Sequence, residues 1–333
     1  MESFIDSELK SVEQNVHKLN FAKLVACVRM MVRVRFERTK HKVLDVCMQF
    51  PQNYPEELML VEFRSNELPE KFLEGLSQAV EANRQDFIGH QQILQILKFV
   101  ANFIEKNPLC LCAGEISSLK SLLDPAMDYI KVKQKQYAVA LYCCQSGYWL
   151  SVKFKISEEY PDCQVSVDDI STNFPTPFRE WFDAQSTEIA RQCVEPPITR
   201  KLKGKAVKVT KPFVPKMSLE PVGRFLIDHV KRYAVERCSL CDKKALPENP
   251  EFACSDGEAD IFVDRVYCSH LFHHGCLDTY MKTPPFIGGK PCPSCKETIY
   301  HAKWNISEKT AEERWAHKQA KDRELEEVED FLS

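Results

Sequence analysis

The sequence lacks any long apolar run: none approaches the roughly 20 residues that a helix needs to span a bilayer. The net charge is only −3 over 333 residues, which gives no overall reason to expect binding to nucleic acids or anionic membranes. The acidic, amphipathic start "MESFIDSELKSVEQ" has neither the basic n-region nor the apolar h-region of a secretory signal. We therefore expect a protein of the cytoplasm, the nucleus or both, without a membrane partner.

Cysteine, in contrast, is abundant. The chain has 15 cysteines within an otherwise ordinary composition of 44% hydrophobic and 28% charged residues, typical of a soluble protein with two or three domains. Disulfides are rare inside cells, so metal binding or burial as small apolar side chains is expected instead. Burial is expected for nine scattered cysteines, whereas the other six lie between Cys238 and Cys295 in a different pattern.

An internal repeat occupies the first two thirds of the chain. Residues 44–76 align without a gap on residues 150–182, at an offset of 106 residues. Apolar matches alternate with period two before a shared Tyr-Pro pair, Tyr54-Pro55 and Tyr160-Pro161, which is typical of a half-buried strand. After Pro69 and Pro175 the matches recur every three or four residues, as on a helix. A strand-to-helix switch shared by both segments indicates a duplicated domain.

The flanking segments complete each repeat. In the first, "ESFIDSELKSVEQNVHKL" predicts a helix, "LVACVRMMVRVRFER" a strand, and "QQILQILKFVANFI" a closing helix. In the second, "EISSLKSLL" opens the repeat and "SLEPVGRFLIDHVKRYAVE" closes it. The resulting order is a helix, an antiparallel meander, a Tyr-Pro loop and two helices. The fold class is therefore α+β.

Each repeat resembles the RWD domain, a non-catalytic relative of the ubiquitin-conjugating fold. Both copies depart from the family pattern, because the later proline expected after Tyr-Pro is absent from "YPEELML" and "YPDCQVSV". Neither copy carries the His-Pro-Asn motif and following active cysteine of conjugating enzymes, and Cys163 and Cys193 have no such surroundings. The resemblance implies two RWD-like binding platforms, residues 1–107 and 108–236.

A basic insert interrupts the second RWD-like domain. Residues 199–216 contain seven Lys or Arg and no acidic residue. A role in nucleic-acid binding or nuclear localisation is one interpretation. We favour a solvated insert and do not expect nucleic acid as a partner, because aromatic residues do not alternate with the positive charges, Phe213 being the single aromatic.

The remaining cysteines form a metal-ligand pattern with nearby histidines. Cys238-x2-Cys241 is followed after 26 residues by Cys268-x-His270-x2-His273-x2-Cys276, and after 15 more by Cys292-x2-Cys295. Eight ligands suit two closed tetrahedral sites, and closed sites of nitrogen and sulfur are typical of structural zinc. The alternative, a reactive thiol–imidazole pair, needs only one thiolate and one base. We therefore predict two zinc ions.

The spacing resembles the RING finger, in the variant with histidine at the fourth and fifth ligand positions. The resemblance implies a cross-braced pairing: Cys238, Cys241, His273 and Cys276 hold one ion, and Cys268, His270, Cys292 and Cys295 hold the other. His274 and Cys254 are left over and are expected not to bind metal. This RING-like domain spans residues 237–302.

Four further residues match positions with which RING ligases bind conjugating enzymes. They are Leu240 before the second ligand, Tyr280 four residues after the sixth, Pro293 between the last two ligands, and Lys296 after the eighth. The resemblance makes Lys296 the residue that contacts both conjugating enzyme and ubiquitin. Lysine offers a point charge there, whereas the more usual arginine offers a fork of donors.

The domain order is similar to that of the Fanconi anaemia ligase subunit, and residues 303–333 predict a charged helical tail with i,i+4 pairs. The resemblances imply a RING ubiquitin ligase whose partners are a conjugating enzyme, ubiquitin, and a protein substrate or complex subunits held by the RWD-like domains. The alternative is a non-enzymatic adaptor whose zinc domain only completes a fold. The acidic gap between Cys241 and Cys268 could modify the docking surface in a way that the sequence does not specify.

Overall fold

The computed structural model describes residues 2–197, 213–304 and 306–332. The chain divides into two compact units: one comprises Met1–Tyr142, Ser151–Ile170 and Asp183–Phe225, and the other Cys143–Leu150, Ser171–Phe182 and Leu226–Ser333. Among the described helices, none is long and apolar enough to cross a membrane.

The first lobe, residues 2–106, combines one antiparallel sheet with four helices. Its elements are α1 (Glu2–Asn15), β1 (Ala22–Val28), β2 (Met31–Thr39), β3 (Lys42–Gln49), β4 (Leu60–Arg64), α2 (Glu70–Ala82), α3 (Arg84–Phe87) and α4 (Ile93–Lys106). The strand order β1-β2-β3-β4 follows the chain, so the sheet is the expected meander. The closing helix predicted from the sequence is α4, on which Ile93, Ile96, Leu97 and Val100 are fully buried.

The two faces of this sheet differ because side chains alternate along a strand. On β2, Val32, Val34 and Phe36 enter the core. Arg33 and Arg35 point to the other face and clamp Asp45 of β3, with Arg35 Nε and Nη2 at 2.8 and 2.9 Å from the carboxylate. The Arg35 hydrogen bonds hold the pKa of Asp45 at about 2, with Arg33 acting in the same direction.

The prediction of one continuous strand over residues 24–38 is wrong. The segment is a hairpin in which β1 and β2 pair antiparallel, with Val28 opposite Met31. The turn residues are Arg29 and Met30, and no glycine, proline, asparagine or aspartate stands there to signal a hairpin. Arg29 is instead held by two hydrogen bonds to Asp6 on α1, a contact that local sequence does not reveal.

The second lobe repeats this order. Its elements are α5 (Ala113–Leu122), β5 (Tyr129–Lys133), β6 (Ala138–Gln145), β7 (Tyr148–Lys155), β8 (Ser166–Thr172), α6 (Thr176–Val194) and α7 (Leu219–Tyr233). The strands again follow the chain order β5-β6-β7-β8. Strand β7 has the bounds of β3 shifted by 106 residues, and α6 begins 106 residues after α2. The offset read in the sequence is therefore present in the secondary structure.

The same buried hydrogen-bond network occurs in both lobes. Tyr54 donates to Glu8 and accepts from the backbone N–H of Gln92 at 3.1 Å. Tyr160 donates to Glu115 and accepts from the backbone N–H of Ser218 at 2.8 Å. Both tyrosines are 1% exposed, and both Tyr-Pro bonds are cis. Each network joins the Tyr-Pro loop to the opening and closing helices.

The carboxylic acids of these networks are buried. Burial raises the pKa of Glu8 and of Glu115 above the ordinary value. Glu8 also accepts from the N–H of Ile93 at 2.8 Å, and Glu115 from the N–H of Glu220 at 2.8 Å. Each carboxyl group thus satisfies one of the unpaired N–H groups at a helix N-terminus.

The two lobes contact each other within the first unit. Lys42 is 5% exposed, and its Nζ donates to the carbonyl oxygen of Pro108 at 2.7 Å. Arg38 contacts Glu158 at 2.6 Å and the Tyr137 hydroxyl at 2.9 Å. Most of the predicted basic insert, residues 199–212, lies outside the described residues.

The C-terminal region has little regular structure until its last helix. Its elements are β9 (Val263–Arg265), β10 (Leu271–His273), α8 (His274–Lys282) and α9 (Glu308–Leu332). We define residues 238–304 as the C-terminal module; its core contains the fully buried Val266, Phe272 and Leu277 together with two cysteines, Cys238 and Cys292. Helix α9 is the predicted charged tail, and Lys309 Nζ lies 3.9 Å from Glu313 Oε1 in one of its i,i+4 pairs.

Candidate metal centre

Two tight turns carry the two Cys-x2-Cys pairs. In the first, the N–H of Asp242 donates to the carbonyl of Cys238 at 2.8 Å; in the second, the N–H of Lys296 donates to the carbonyl of Cys292 at 2.8 Å. The residue after each pair has left-handed backbone, with φ of +58° at Asp242 and +67° at Lys296. The two turns therefore share one geometry, in which both thiols of a pair face the same point.

The hairpin and α8 supply the central ligands. Cys268 and His270 flank Ser269, whose φ of +65° turns the chain just before β10. His273 ends β10, and Cys276 lies in the first turn of α8. Cys276 follows His273 by three positions, which places both side chains on one face of the helix start.

Two groups of potential ligands result. They consist of Cys238, Cys241, His273 and Cys276, and of Cys268, His270, Cys292 and Cys295, with the ligand atoms of each group all within 4.8 Å of one another. No other group of three or more such ligands occurs within the described ranges 2–197, 213–304 and 306–332. The structure thus brings together all eight predicted ligands, in the two sets that the RING resemblance implies.

The distances fit a tetrahedral ion of zinc size. His273 Nδ1 lies 3.3 Å from Cys241 Sγ and 4.0 Å from Cys276 Sγ. His270 Nδ1 lies 3.3 Å from Cys268 Sγ and 3.7 Å from Cys292 Sγ. Zinc–sulfur and zinc–nitrogen bonds of about 2.3 and 2.0 Å place tetrahedral S and N ligands about 3.5 Å apart. Each group can therefore hold one ion with no position left for water.

One histidine is oriented by a backbone carbonyl. His273 Nε2 lies 3.0 Å from the Lys244 carbonyl oxygen, so the N–H belongs on Nε2 and the lone pair of Nδ1 faces the thiols. An outer hydrogen bond of this kind fixes the tautomer of a metal ligand. Sequence reasoning missed Lys244 because a main-chain carbonyl carries no residue-type signal.

Two of the thiols, one in each group, need a cation in order to ionise. Burial raises the pKa of Cys268 to about 12 and that of Cys276 to about 12. Thiolates, not thiols, bind metal. A divalent ion offsets the free-energy cost of burying the thiolates because it neutralises their charge. The mixed sulfur and nitrogen donors, without carboxylates, suit zinc rather than calcium or magnesium.

The two leftover candidates lie outside both groups. His274 is 6% exposed, and its Nδ1 lies 2.7 Å from Asp264 Oδ2. Its ring is 5.7 Å from that of Trp304. Cys254 Sγ contacts the carbonyl oxygen of Asp256 at 3.7 Å. His274 has a structural partner on β9, which explains a third histidine in so short a segment.

The predicted conjugating-enzyme contacts lie around the same centre. Leu240 and Tyr280 are half-buried, contact the core of the module, and line one open groove of about 720 Å³. The Tyr280 hydroxyl donates to the Pro291 carbonyl at 2.7 Å. Leu240 keeps part of its surface in the groove, so an apolar side chain of another protein could pack on it.

Pro293 and Lys296 lie on the second turn, outside the lining of that groove. Ser294 donates to Ser239 at 3.0 Å, which holds the two turns side by side. Lys296 is exposed, and its Nζ donates to the Pro293 carbonyl at 3.0 Å. The structure therefore presents Leu240 and Tyr280 together, with Pro293 and Lys296 on the adjoining turn.

Cys163 and Cys193 have surroundings that disfavour a nucleophilic thiolate. Burial raises the pKa of Cys163, and a hydrogen bond to Glu159 at 3.4 Å acts in the same direction. Burial likewise raises the pKa of Cys193. A nucleophilic cysteine is normally activated by a lowered pKa, so neither environment favours a thiolate.

Residues 4–104 match the family model of the RWD domain, and the first lobe is therefore an RWD domain. The match covers less than half of the 333 residues. No curated protein matches the chain.

Proposed function

We propose that the protein is a RING-type ubiquitin ligase in which two RWD domains precede a zinc-bound RING. The observation that carries the proposal is the interleaving of the two ligand groups along the chain. The first and third pairs of ligands form one group, and the second and fourth pairs form the other. In this arrangement Cys238, Cys241, His273 and Cys276 would hold one zinc ion, and Cys268, His270, Cys292 and Cys295 the other. Zinc would supply structural cross-links here, not reactive chemistry.

The second lobe is proposed to be the second RWD domain. Its support is the repeated element order and the Tyr160–Glu115 network that matches Tyr54–Glu8. The two lobes would act as docking platforms for a protein substrate or for subunits of a complex. The domain order is also similar to that of the Fanconi anaemia ligase subunit, a likeness that assigns no substrate.

The proposed reaction takes place on the conjugating enzyme. A substrate lysine amine attacks the thioester carbonyl, a C–N bond forms, the C–S bond breaks, and the proton leaves with the departing thiol or solvent. This chain supplies no nucleophile. Leu240, Tyr280 and Pro293 would hold the conjugating enzyme, and Lys296 would restrict the attached ubiquitin to a reactive orientation. Holding the thioester in a reactive orientation lowers the activation free energy, because the entropy of orientation is lost on binding and not in the reaction step.

A ubiquitin discharge assay across a panel of charged conjugating enzymes tests the proposal. The wild-type chain should accelerate discharge to lysine from at least one of them. Leu240→Ala should abolish this activity with zinc content and thermal transition unchanged, because truncation of an interface anchor typically costs over 2 kcal/mol, roughly thirtyfold in affinity. Tyr267→Ala is the matched control, since Tyr267 is 85% exposed in the same module and does not line the groove.

Lys296 provides a second, separable readout. Lys296→Ala should leave conjugating-enzyme binding intact and slow discharge, because its charge would act on ubiquitin. If no conjugating enzyme binds the wild-type chain or responds to it, the non-enzymatic adaptor is the correct function. Localisation in the cytoplasm or nucleus belongs to the same proposal, since charged conjugating enzymes are found there.

A further inference from the structure

The 26-residue gap between the second and third ligands places one apolar side chain beside the proposed docking residues. Ile261 is 68% exposed, and it lines the same groove as Leu240 and Tyr280. Exposed single apolar residues are common on protein surfaces. Ile261 differs from most because it shares a concave surface with a half-buried leucine.

Backbone hydrogen bonds hold the loop that carries Ile261 against the start of α8. The N–H of Phe262 donates to the Ala259 carbonyl at 2.9 Å, which closes a turn around Ile261. The N–H of His274 donates to the Phe262 carbonyl at 2.7 Å, and the N–H of Gly275 donates to the Asp260 carbonyl at 3.0 Å. These two bonds attach the carbonyls on either side of Ile261 to the start of α8.

Close packing reinforces this attachment. A Cβ atom at Gly275 would lie 2.7 Å from Asp260 Oδ1 and 3.0 Å from Asp260 Cβ, so the loop lies close against the start of the helix, and a larger residue at 275 would displace the Asp260 side chain. Directly after the loop, Val263 pairs with His273 across the β9–β10 ladder. The zinc ligands His273 and Cys276 stand on the same segment. The metal centre therefore positions Ile261 as well as the groove.

We propose that Ile261 is a specificity-determining contact for the conjugating enzyme, which would place an apolar side chain between Ile261 and Leu240. This inference rests on the proposed ligase function and adds to it the role of the long gap. The occupant is assigned by continuity, because Ile261, Leu240 and Tyr280 line a single groove. Exposed Lys243 on the same groove favours a conjugating enzyme that carries a carboxylate next to the inserted side chain.

The test compares Ile261→Asp and Ile261→Leu with the wild-type full-length, zinc-loaded chain, using direct binding and discharge with the same panel of conjugating enzymes. Ile261→Asp should weaken binding to the best partner at least roughly tenfold, the effect of losing one buried aliphatic side chain, and should change the order of preference among the enzymes. Ile261→Leu should bind as the wild type does. Zinc content and the thermal transition check that both variants fold.

The control is Phe252→Ala. Phe252 is 74% exposed in the same gap but does not line the groove, so its loss should change neither affinity nor preference. If Leu240→Ala is inactive while Ile261→Asp matches the wild type with every enzyme, the Ile261 proposal is wrong and the ligase function stands. If Ile261→Asp instead disrupts self-association in sedimentation velocity, the occupant is a second copy of the chain, and the proposal is overturned. A wild-type chain that binds no conjugating enzyme overturns both.

Discussion

The guanidinium of Arg265 lies 4.3 Å from the centre of the Trp181 ring. Arg265 belongs to β9 of the C-terminal module, and Trp181 to α6 of the second lobe. Two hydrogen bonds support this contact: the Tyr148 hydroxyl donates to the Pro247 carbonyl at 2.9 Å, and the N–H of Leu271 donates to Glu236 at 2.9 Å. Within the second unit, the C-terminal module is thus packed on residues of the preceding lobe.

Replacing Arg265 with alanine should loosen this packing. Burial lowers the pKa of Arg265, so its cation–π contact is partly desolvated and stabilises by about 2 kcal/mol. The β9 and β10 amides should exchange with solvent up to roughly thirtyfold faster, as measured by hydrogen–deuterium exchange. Arg224→Ala is the control, because Arg224 forms an exposed i,i+4 pair with Glu220 that contributes little. Unchanged exchange in Arg265→Ala would show that the contact does not hold the module.

The metal centre should contain two zinc ions per chain. Structural zinc supplies roughly 10–16 kcal/mol of apparent folding free energy to small zinc-binding peptides, so Cys268→Ser or Cys292→Ser should unfold residues 238–304 and release metal. Elemental analysis of the purified protein gives the stoichiometry, and a chelator titration followed by limited proteolysis locates the unfolding. Cys254→Ser should retain both ions. A stoichiometry of one ion per chain would contradict the cross-braced arrangement.

Because the two tyrosine networks match, loss of either tyrosine hydroxyl should lower the stability of its lobe by a similar amount. Tyr54→Phe leaves the buried Gln92 N–H and a Glu8 oxygen without this partner, and Tyr160→Phe does the same to Ser218 and Glu115. Each substitution should destabilise its lobe by about 1–3 kcal/mol, measured from the urea midpoint.

Tyr267→Phe serves as the exposed control for this pair and should shift stability by less than about 0.5 kcal/mol. If only one of Tyr54→Phe and Tyr160→Phe lowers the free energy of unfolding, the two networks are not equivalent.

Acid should weaken the first lobe through Asp45. The Arg35 and Arg33 clamp lowers its pKa from 3.8 to about 2, so the folded state binds the proton less readily than the unfolded state. The stabilisation is therefore complete above about pH 4, amounts to about 2 kcal/mol, and disappears as the pH falls toward 2. The difference in the free energy of unfolding between the wild type and Asp45→Asn, measured with urea, should be roughly half as large at pH 3 as at pH 7. A constant gap would rule out ionisation of Asp45 as its source.

Much of the architecture could be read from local patterns. Period-two alternation identified β3 and β7, and a three-to-four-residue period identified α2 and α6, because side-chain direction follows directly from backbone geometry. The sequence does not reveal the hairpin of β1 and β2, since its turn at Arg29 and Met30 has no typical turn residue and Arg29 contacts Asp6, 23 residues earlier along the chain. A turn of this kind carries no local signal.

For the metal centre, the sequence by itself determined the ligands: cysteine and histidine spacing limits which thiols and imidazoles one ion can reach. The tertiary structure alone decided that Nδ1 of His273 faces the thiols, because Nε2 meets a carbonyl 29 residues away. It also decided that Ile261 lies beside Leu240 and that Arg265 meets Trp181. The physical reason is that spacing constrains only neighbours on the chain, whereas burial, orientation and shared surfaces arise from contacts that form after distant segments have folded together.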